Sequence, residues 1–290
     1  MTEGHDDLAG GYDARFLQTR LELPAPSAPT VLLGYTHFSV RLLPARRLAA
    51  VVGVNINGRE LTPLAREGRW HFDARIPRDQ QAGPELYRNN DLDRGHLVRR
   101  LDPVWGDPVT AKAANQDTFA FTNAAPQVND FNQGKELWLG LEDHVLGHAA
   151  AFDARISVFT GPVFREDDVR YRGVRIPRKF WKIAAWTNQG VLGTAGFILD
   201  QSSLLDLAEL EEQTRSRLLA DEPPPLGPFR TFQVPIELIA GLTGMSLQPL
   251  VDADRLGHAR PLKDGKREGR HGPAWEGLAF RLESPDQIRL

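Results

Sequence analysis

The residues with the clearest chemical potential lie in one short polar run, NNDLDRGH, which ends at His96. Its last four residues, Asp93, Arg94, Gly95 and His96, bring together a carboxylate, a guanidinium and an imidazole. The ordinary pKa of histidine, about 6.5, suits this side chain to take a proton from water near neutral pH. A neighbouring arginine supplies a planar donor fork for phosphate oxygens, and glycine lets the backbone pass close to a bulky anion. The run has the groups that attack of water on phosphorus would need.

A second polar series follows and suits a hydrated metal site. Its members are amides and one carboxylate: Asn115, Asn123, Gln127, Asn129, Asn132, Gln133 and Glu142. Mg²⁺ prefers oxygen ligands, keeps several waters and needs only one or two protein oxygens. One Asn carbonyl and one Glu that holds coordinated water are enough for such a site.

Several other chemistries lack their sequence signals. The chain has no cysteine, which excludes disulfide scaffolds, Cys-ligated zinc, iron–sulfur clusters and thiol catalysis. No nucleotide-binding, dinucleotide-binding, nucleophile-elbow, zincin or EF-hand pattern is present. His144 and His148 have a spacing that can bind zinc, but without a third ligand they favour a solvated helix face. Hydrolytic or binding chemistry by His, Asn, Arg and carboxylates remains.

Each polar motif also has a purely structural interpretation. Asp93 and Arg94 are compatible with a local ion pair in a turn. Asn123 and Gln127 are typical of helix caps and of loops whose backbone needs hydrogen bonds. The segment 165–182 carries seven basic and three acidic residues, which fits either a solvated face or a rim that follows phosphates. The residue types alone leave these alternatives open.

The elements that must position these residues are predicted to be strands and helices without strict βαβ repetition, which favours an α+β or layered domain. Apolar runs predict strands over 48–62 with a hairpin turn at Asn57-Gly58, and over 155–164 with a break at Gly161-Pro162. Further strands are predicted at 179–187 and 190–199, and helices at 108–121, 133–152, 203–220 and 234–244. Leu137, Leu141 and Val145 form the core-facing stripe of the second helix.

Length and composition favour one main folded domain. The 290 residues are 41% hydrophobic and include 26 glycines and 21 prolines, as in a loop-rich globular protein. We expect a peripheral arm at 1–30, the main domain at 31–252 and a basic tail at 253–290. The net charge of −3 means that binding to a polyanion needs local basic patches. Neither a signal peptide nor a membrane span is predicted, so no membrane partner is expected and the cytoplasm is the default location.

Taken in order, the motifs resemble the DNA/RNA non-specific endonucleases of the ββα-metal, or His-Me finger, class. The resemblance covers roughly residues 35–250, and its motifs are DRGH at 93–96, TNAAPQ at 122–127, FNQG at 131–134, Trp138, LE at 141–142, VFTGPVF at 158–164 and PRKFWK at 177–182. It implies an α+β, ββα-metal fold with a central antiparallel or mixed sheet layered with helices.

The resemblance also implies an activity. It is Mg²⁺-dependent, sugar-non-specific hydrolysis of DNA and RNA that leaves 5′-phosphate products, with Mn²⁺ or another divalent metal as alternatives. In that activity His96 would be the general base and Asn132 the direct protein ligand of the metal. Glu142 would hold metal-bound waters.

The remaining implied roles concern the phosphate and the architecture. Arg94 and the upstream Arg47 would stabilise the pentacoordinate phosphorus, and Asp93 would orient the site. Asn123 and Gln127 would hold the ββα core and the substrate side. Contacts would go to phosphate and sugar, which explains indifference to base sequence.

Two departures from the family pattern concern the helix after Asn132. The family places its helix Trp and Glu four and eight residues after the metal Asn, whereas Trp138 and Glu142 stand at six and ten. Because both shift together, we favour an insertion absorbed near the helix start; in the alternative, Glu136 holds the metal waters. Leu146 also stands where the family often has an arginine.

Rival functions and partners follow from the same pattern. One alternative is a same-fold metal phosphodiesterase acting on substrates other than polynucleotides. Another is a nucleic-acid-binding module with impaired catalysis. A free cytoplasmic nuclease would need an inhibitor protein, a metal restriction or specialised export. Related nucleases often form dimers, so a homodimer is also an open alternative.

Overall fold

Eight strands form one antiparallel sheet in the part of the chain that the computed structural model describes, which is residues 10–65, 67–128, 145–147, 149–202, 205, 230–257, 279–282 and 287–288. The order across the sheet is β1-β2-β3-β6-β9-β10-β11-β12. These strands are β1 (Val31–Tyr35), β2 (Phe38–Leu43), β3 (Leu48–Asn57), β6 (Arg155–Val163), β9 (Lys179–Asn188), β10 (Val191–Asp200), β11 (Arg230–Val234) and β12 (Phe280–Leu282).

The remaining described elements lie around this sheet. Two short ladders stand apart from it: β4 (Leu92–His96) with β5 (Ala124–Val128), and β7 (Val169–Tyr171) with β8 (Val174–Ile176). The helices are α1 (Pro84–Tyr87), α2 (Pro108–Asp117), α3 (Ile236–Thr243) and α4 (Gln248–Asp252), and residues 145–147 and 149–151 are also helical. Strands and helices together make an α+β architecture, as the sequence predicts.

The sheet is buried on both faces because its central strands carry apolar side chains in both directions. On one face, Val158 and Phe197 pack in a cluster that also contains Leu92 and Leu97, which flank the DRGH motif. We call this the site face. On the other, Phe159 and Trp181 pack with helix α3. Because side chains alternate along each strand, the same strands contribute residues to both clusters. The polar ladder β4–β5 packs on the site face through Leu92 and Val128.

The described part of the N-terminal segment turns at residues 13–18, continues through its prolines without helix or strand, and packs on the sheet, so it is not a peripheral arm. Phe16, Leu17, Leu21 and Leu23 are each at most 9% exposed and join the apolar cluster opposite the site face. The prolines keep the segment extended, whereas its spaced apolar side chains supply surface that is more stable when buried.

Two predicted strand endings are wrong. Asn57-Gly58 does not turn a hairpin, because β3 pairs with β2 and with the distant β6 and is followed by a 3-10 turn at Gly58–Glu60. A Cβ at position 58 would overlap the backbone carbonyl of Ala149, so close approach explains this glycine. Gly161-Pro162 does not break β6 either, since the strand continues to Val163. The pairing of β6 with β3 ends at Thr160, so the missing N–H of Pro162 removes no hydrogen bond between β3 and β6.

The predicted basic tail also contributes to the sheet. Phe280–Leu282 forms β12 and pairs with β11. Asp254 is 2% exposed and accepts a hydrogen bond from the backbone N–H of Ile236 at 2.8 Å. These parts of 253–290 belong to the folded body, which the low periodicity of the segment did not indicate.

Other predicted elements are confirmed where they fall on described residues. Helix α2 has an N-cap at Asp107, whose carboxylate accepts from the N–H groups of Val109 and Thr110. Strands β9 and β10 are both found as predicted and pair with each other in antiparallel register, and α3 ends at Gly244. Val145 is buried on the site face, whereas Leu137, Leu141 and most of the helix predicted at 203–220 lie outside the described residues. No described helix is long and apolar enough to span a bilayer.

The packing of the N-terminal segment gives a stability prediction. Replacing Leu17 by Ala should lower the free energy of unfolding by about 3 kcal/mol, because it empties a buried leucine position. Urea unfolding measures this, with Val109→Ala as control, since Val109 is 80% exposed. A change below about 0.5 kcal/mol in Leu17→Ala, the usual range for surface substitutions, would show that the segment does not pack on the sheet.

Candidate active site

The ladder β4–β5 brings together five of the predicted site residues, namely Asp93, Arg94, His96, Asn123 and Gln127. In its antiparallel register, Asp93 lies opposite Gln127, and His96 lies opposite Ala124, next to Asn123. Arg94 and His96 point to the same side of β4 because side chains alternate along a strand. The DRGH and TNAAPQ motifs, separated by about 30 residues in the sequence, are thus adjacent strands of one unit.

Gly95 and Gln127 make the closest approach within this ladder. A Cβ at position 95 would overlap the side-chain amide of Gln127, which is itself 2% exposed. Glycine is therefore required so that the buried amide can lie against β4. Because Gln127 is shut off from solvent, its role is to pack β5 against β4 and not to contact a substrate.

Asn123 holds the end of β4 directly after His96. Its Oδ1 accepts from the backbone N–H of Val98 at 2.8 Å, and its Nδ2 donates to the carbonyls of Val98 and Thr118 at 3.0 and 2.9 Å. Its own backbone carbonyl accepts from the N–H of Leu97 at 3.0 Å. This fully buried side chain fixes the strand on which His96 sits.

Aromatic rings surround the imidazole of His96 on two sides. The Trp70 ring lies 4.7 Å from it between centroids, at 47°, and the Phe119 ring lies 5.1 Å away, edge-on at 85°. Trp70 and Phe119 also contact each other at 5.5 Å. This wall restricts the orientation of the imidazole, which a general base requires.

Arg94 is exposed and stands beside the same wall. Its guanidinium carbon lies 5.8 Å from the Trp70 ring centroid, within the range of a cation–π contact. An exposed guanidinium on the strand of His96 is well placed to receive a phosphate oxygen.

Arg47 lies directly before β3, at the entry to that strand, as the resemblance implies, and its guanidinium is engaged with neighbouring residues. It lies in the turn between β2 and β3, at φ +60°. Its Nη2 donates to the carbonyl of Gln81 at 2.7 Å and to Oε1 of Glu85 at 2.8 Å. Partial burial pushes the pKa of Glu85 up, but hydrogen bonds from backbone N–H groups and from Arg47 outweigh it, so the net pKa lies below its ordinary value. The pair is therefore ionised at neutral pH, and Arg47 braces helix α1.

A buried polar network orders the loop between β3 and β4. The hydroxyl of Tyr35 donates to Asp73 at 2.5 Å and shares a contact with Thr122 Oγ1 at 2.6 Å. Arg75 donates to the same carboxylate from Nη2 at 2.6 Å. Burial acts to raise the pKa of Asp73. The hydrogen bonds from Arg75 and Tyr35 lower it by more than burial raises it, so the net pKa lies below its ordinary value. Since Thr122 precedes Asn123, this network ties the loop to the site ladder.

Gln201 anchors the other end of the ladder. This fully buried side chain accepts from the N–H of Val128 at 3.0 Å and donates to the carbonyls of Pro126 and Pro177 at 3.3 and 2.7 Å. It thereby fixes the exit of β5, from which the chain runs on toward Asn132.

The predicted metal residues themselves lie outside the described residues: Asn132, Glu136, Trp138 and Glu142 all fall within 129–144. The described part of the chain contains no group of three or more His, Asp or Glu side chains that could hold a metal ion. Its donors therefore do not form a carboxylate cage. His144 and His148 are outside the description too.

The basic run at 165–182 pairs largely with its own neighbours. Arg46 contacts Asp168 at 3.3 Å, and Arg175 contacts Glu166 at 2.8 Å. Arg172 donates to the backbone carbonyls of residues 85 and 88. Arg172 thus holds the β7–β8 hairpin against α1, in keeping with the structural interpretation of this run.

Sequence reasoning did not single out Trp70, Gln81, Phe119 or Gln201. Trp70 and Phe119 carry no motif signal, and Gln201 reaches β5 across 73 residues of sequence. Gln81 is followed by Ala and Gly and resembles any loop residue, yet it is fully buried and its amide donates to two backbone carbonyls. Their contacts in the folded structure, and not their sequence context, distinguish these four residues from others of the same type.

Comparison with known proteins gives a family match. Residues 19–254 match the model of the DNA/RNA non-specific endonuclease family. Protein y4fB of Sinorhizobium fredii is 40% identical over 259 residues, which cover 81% of this chain and 38% of that protein. Mitochondrial endonuclease G of Bos taurus is 28% identical over 211 residues, covering 68% of this chain and 61% of that protein. The corresponding Homo sapiens protein is 29% identical over 193 residues, covering 62% and 56%.

Among solved structures, a chain of the EndoG/EndoGI complex aligns with a TM-score of 0.57 at 18% identity, covering 79% of this chain and 89% of that one. At this identity the likeness concerns the fold. Together with the family match it confirms the α+β, ββα-metal fold class. The chain spans only 38% to 61% of the length of the curated relatives named above.

The role of Asn123 can be tested by stability. Asn123→Ala should lower the free energy of unfolding by about 3 kcal/mol, because buried backbone groups at Val98 and Thr118 lose their partner. Thermal and urea unfolding measure the loss. Gln116→Ala is the matched control, since this exposed amide makes two long contacts, each at 3.4 Å, with the Arg69 carbonyl and with Nδ1 of His71. A loss below 1 kcal/mol would contradict the bracing role.

The Asp73 network gives a pH prediction. Because the folded-state pKa of Asp73 is depressed, its contribution to stability is present above the ordinary value of about 4 and is lost as the pH falls below it. From pH 6 to pH 3, wild type should therefore lose more unfolding free energy than Asp73→Asn. Urea titrations at both pH values measure this, with the exposed Glu237→Gln as control. Equal losses in wild type and Asp73→Asn would contradict the assignment.

Proposed function

The chain belongs to the DNA/RNA non-specific endonuclease family, and from that premise we propose that it is a metal-dependent endonuclease that hydrolyses DNA and RNA to 5′-phosphate products. The observation that carries the proposal is the placement of His96 and Arg94 on one side of β4. There an imidazole confined by aromatic rings stands next to an exposed guanidinium.

His96 acts as the general base. It takes a proton from the attacking water while the Trp70 and Phe119 rings keep its ring plane fixed. Arg94 presents its donor fork to the non-bridging phosphate oxygens, where negative charge grows as phosphorus becomes pentacoordinate. Asp93 orients this strand, and Asn123 and Gln127 support it from β5.

Arg47 has a more distant role in this proposal. Its guanidinium donates hydrogen bonds to Gln81 and Glu85. Arg47 therefore either stabilises the phosphate at a distance by its positive charge or releases Glu85 and binds the phosphate directly. The ion pair is partly exposed, so opening it has a modest energetic cost.

A divalent metal, Mg²⁺ in the first instance, would be held by Asn132, with Glu142 holding its waters. When bound, it would supply positive charge to the scissile phosphate and to the departing 3′-oxygen. The ladder supports this placement because Gln201 fixes the strand end that leads toward Asn132.

Substrate breadth follows from the kind of contact this site offers. Guanidinium contacts to phosphate oxygens carry no base information, so neither base sequence nor sugar type is selected. Because the chain carries a net charge of −3, attraction to the polyanion is local, and cleavage should weaken steeply as salt increases.

Partners and location are proposed on the same basis. One similar protein was crystallised as an EndoG/EndoGI complex in a study of EndoG inhibition, and we propose that an inhibitor protein restrains this chain likewise. A cytoplasmic location, specialised export and a homodimer stay predictions. The relatives from Bos taurus and Homo sapiens are named as mitochondrial.

Cleavage of supercoiled plasmid and of single-stranded RNA tests the function. Wild type should degrade both with Mg²⁺ and neither with EDTA. His96→Ala should reduce the rate by about 10²–10⁴-fold, the usual effect of losing a general base, and Asn132→Ala should reduce it comparably through loss of the metal.

The matched control is His37→Asn. His37 stacks on Trp105, which packs against the cluster opposite the site face, so this variant should cleave like wild type. Full activity in His96→Ala would refute the proposed base. Turnover of a bis-aryl phosphodiester without cleavage of polynucleotides would favour a small-substrate phosphodiesterase. Salt-sensitive DNA binding without cleavage by any divalent metal would favour a binding module.

A further inference from the structure

The hydroxyl of Tyr87 is buried without a hydrogen-bond partner. Tyr87 is the last residue of α1, and its ring packs against the apolar cluster of the site face. The ring is partly exposed, but the hydroxyl oxygen is shut off from solvent and has no hydrogen-bond partner among the residues described. Such groups are rare in folded proteins because an unmet hydroxyl is costly, so this one calls for an explanation.

The fold does not need this hydroxyl to position α1. Arg47 pairs with Glu85 on one side of the helix, and Arg172 donates to the backbone carbonyls of Glu85 and Arg88 on the other. After the helix, the amide of Asn90 donates to the carbonyl of Leu86 at 2.7 Å. The aromatic ring of Tyr87 fills the apolar space, which phenylalanine would fill equally well.

Helix α1 places Tyr87 beside the strand of the proposed phosphate site. Helix α1 packs on β4, the strand that carries Arg94. Burial raises the pKa of Tyr87 above its ordinary value; the positive charges of Arg94 and Arg47 act to lower it, and Glu85 acts to raise it. The phenol is therefore neutral at neutral pH, and its oxygen can accept a hydrogen bond.

Arg94 is complementary to this oxygen. A guanidinium has five N–H donors and no acceptor, so it can donate to a phosphate and to a phenol oxygen at the same time. In the present structure Arg94 is exposed and lies against the Trp70 face, where its rotamers are weakly restricted.

We infer that Tyr87 is a positioning residue of the phosphate site, whose hydroxyl accepts a hydrogen bond from Arg94 when a nucleic-acid phosphate is bound. The inference rests on the proposed function, since it assigns Arg94 to the phosphate. Binding of substrate would draw the guanidinium from the Trp70 face toward α1. Its fork would then be fixed by Tyr87 on one edge and directed at the phosphate with the other.

A double-mutant cycle tests this pairing. The variants are Tyr87→Phe, Arg94→Ala and their combination, and the probe is a fluorescein-labelled 20-base-pair DNA duplex in EDTA at low salt, followed by anisotropy. Tyr87→Phe should weaken binding about fivefold, the usual value of one hydrogen bond. In the Arg94→Ala background the same change should have no effect. The unfolding temperature of Tyr87→Phe should be equal to or above that of wild type, because only an unpartnered hydroxyl is removed.

Tyr171→Phe is the matched control. The Tyr171 hydroxyl is already engaged, since the amide of Asn90 donates to it at 3.2 Å. Its removal should lower the unfolding temperature and should not couple to Arg94. If the Tyr87 hydroxyl had only a structural role, Tyr87→Phe would behave like Tyr171→Phe: its unfolding temperature would fall, and its effect on DNA binding would not depend on Arg94.

The outcomes separate this inference from the proposed function. Additive effects of Tyr87→Phe and Arg94→Ala on binding, or a lowered unfolding temperature of Tyr87→Phe, overturn the role of Tyr87 even if wild type cleaves DNA. Coupling in binding without any cleavage by wild type overturns the endonuclease activity and leaves the role of Tyr87 standing. Failure of wild type both to bind the duplex and to cleave plasmid in Mg²⁺ overturns both.

Discussion

The candidate site depends on the close approach of two short strands, β4 and β5. The amide of Gln127 lies where any side chain at position 95 would be, so the ladder can form only around that glycine. Two further buried amides hold its ends: Asn123 braces the backbone after His96, and Gln201 accepts the N–H of Val128. Three uncharged side chains thus fix a ladder that carries three ionisable ones. Amides suit this task because each both donates and accepts without introducing charge into the core.

The aromatic wall (Trp70 and Phe119) and the amide clamps (the buried side chains of Asn123, Gln127 and Gln201) restrict different parts of the site. The clamps fix the backbone of β4, whereas Trp70 and Phe119 restrict the ring of His96. Trp70 also receives the guanidinium of Arg94, so one indole contacts both the proposed base and the proposed phosphate ligand. Catalytic groups held in this way need little reorganisation when a substrate arrives, which is the physical basis of preorganised active sites.

The sequence was sufficient to predict the motif-bearing part of this arrangement. Asp93, Arg94 and His96 are close together in the chain, and the resemblance singled out Asn123 and Gln127; the register of β4 and β5 places Gln127 opposite Asp93 and Asn123 next to the residue opposite His96. Gln201 could not be predicted in the same way, because its contact with β5 spans 73 residues and depends on where β10 ends in the sheet. The engagement of Arg47 with Gln81 and Glu85 was missed for the same reason. Local patterns specify elements and motifs, whereas the docking of one element on another is a property of tertiary packing.

The central claim is that the imidazole at position 96 is the base of a hydrolytic reaction. Chemical rescue tests it most directly: His96→Gly removes the ring and leaves a cavity walled by Trp70 and Phe119, into which free imidazole can enter. Plasmid cleavage by His96→Gly in Mg²⁺ should be nearly abolished, should recover as imidazole is added, and should follow the neutral fraction of imidazole as the pH is varied. Cleavage by His96→Gly at the wild-type rate without imidazole would contradict the claim.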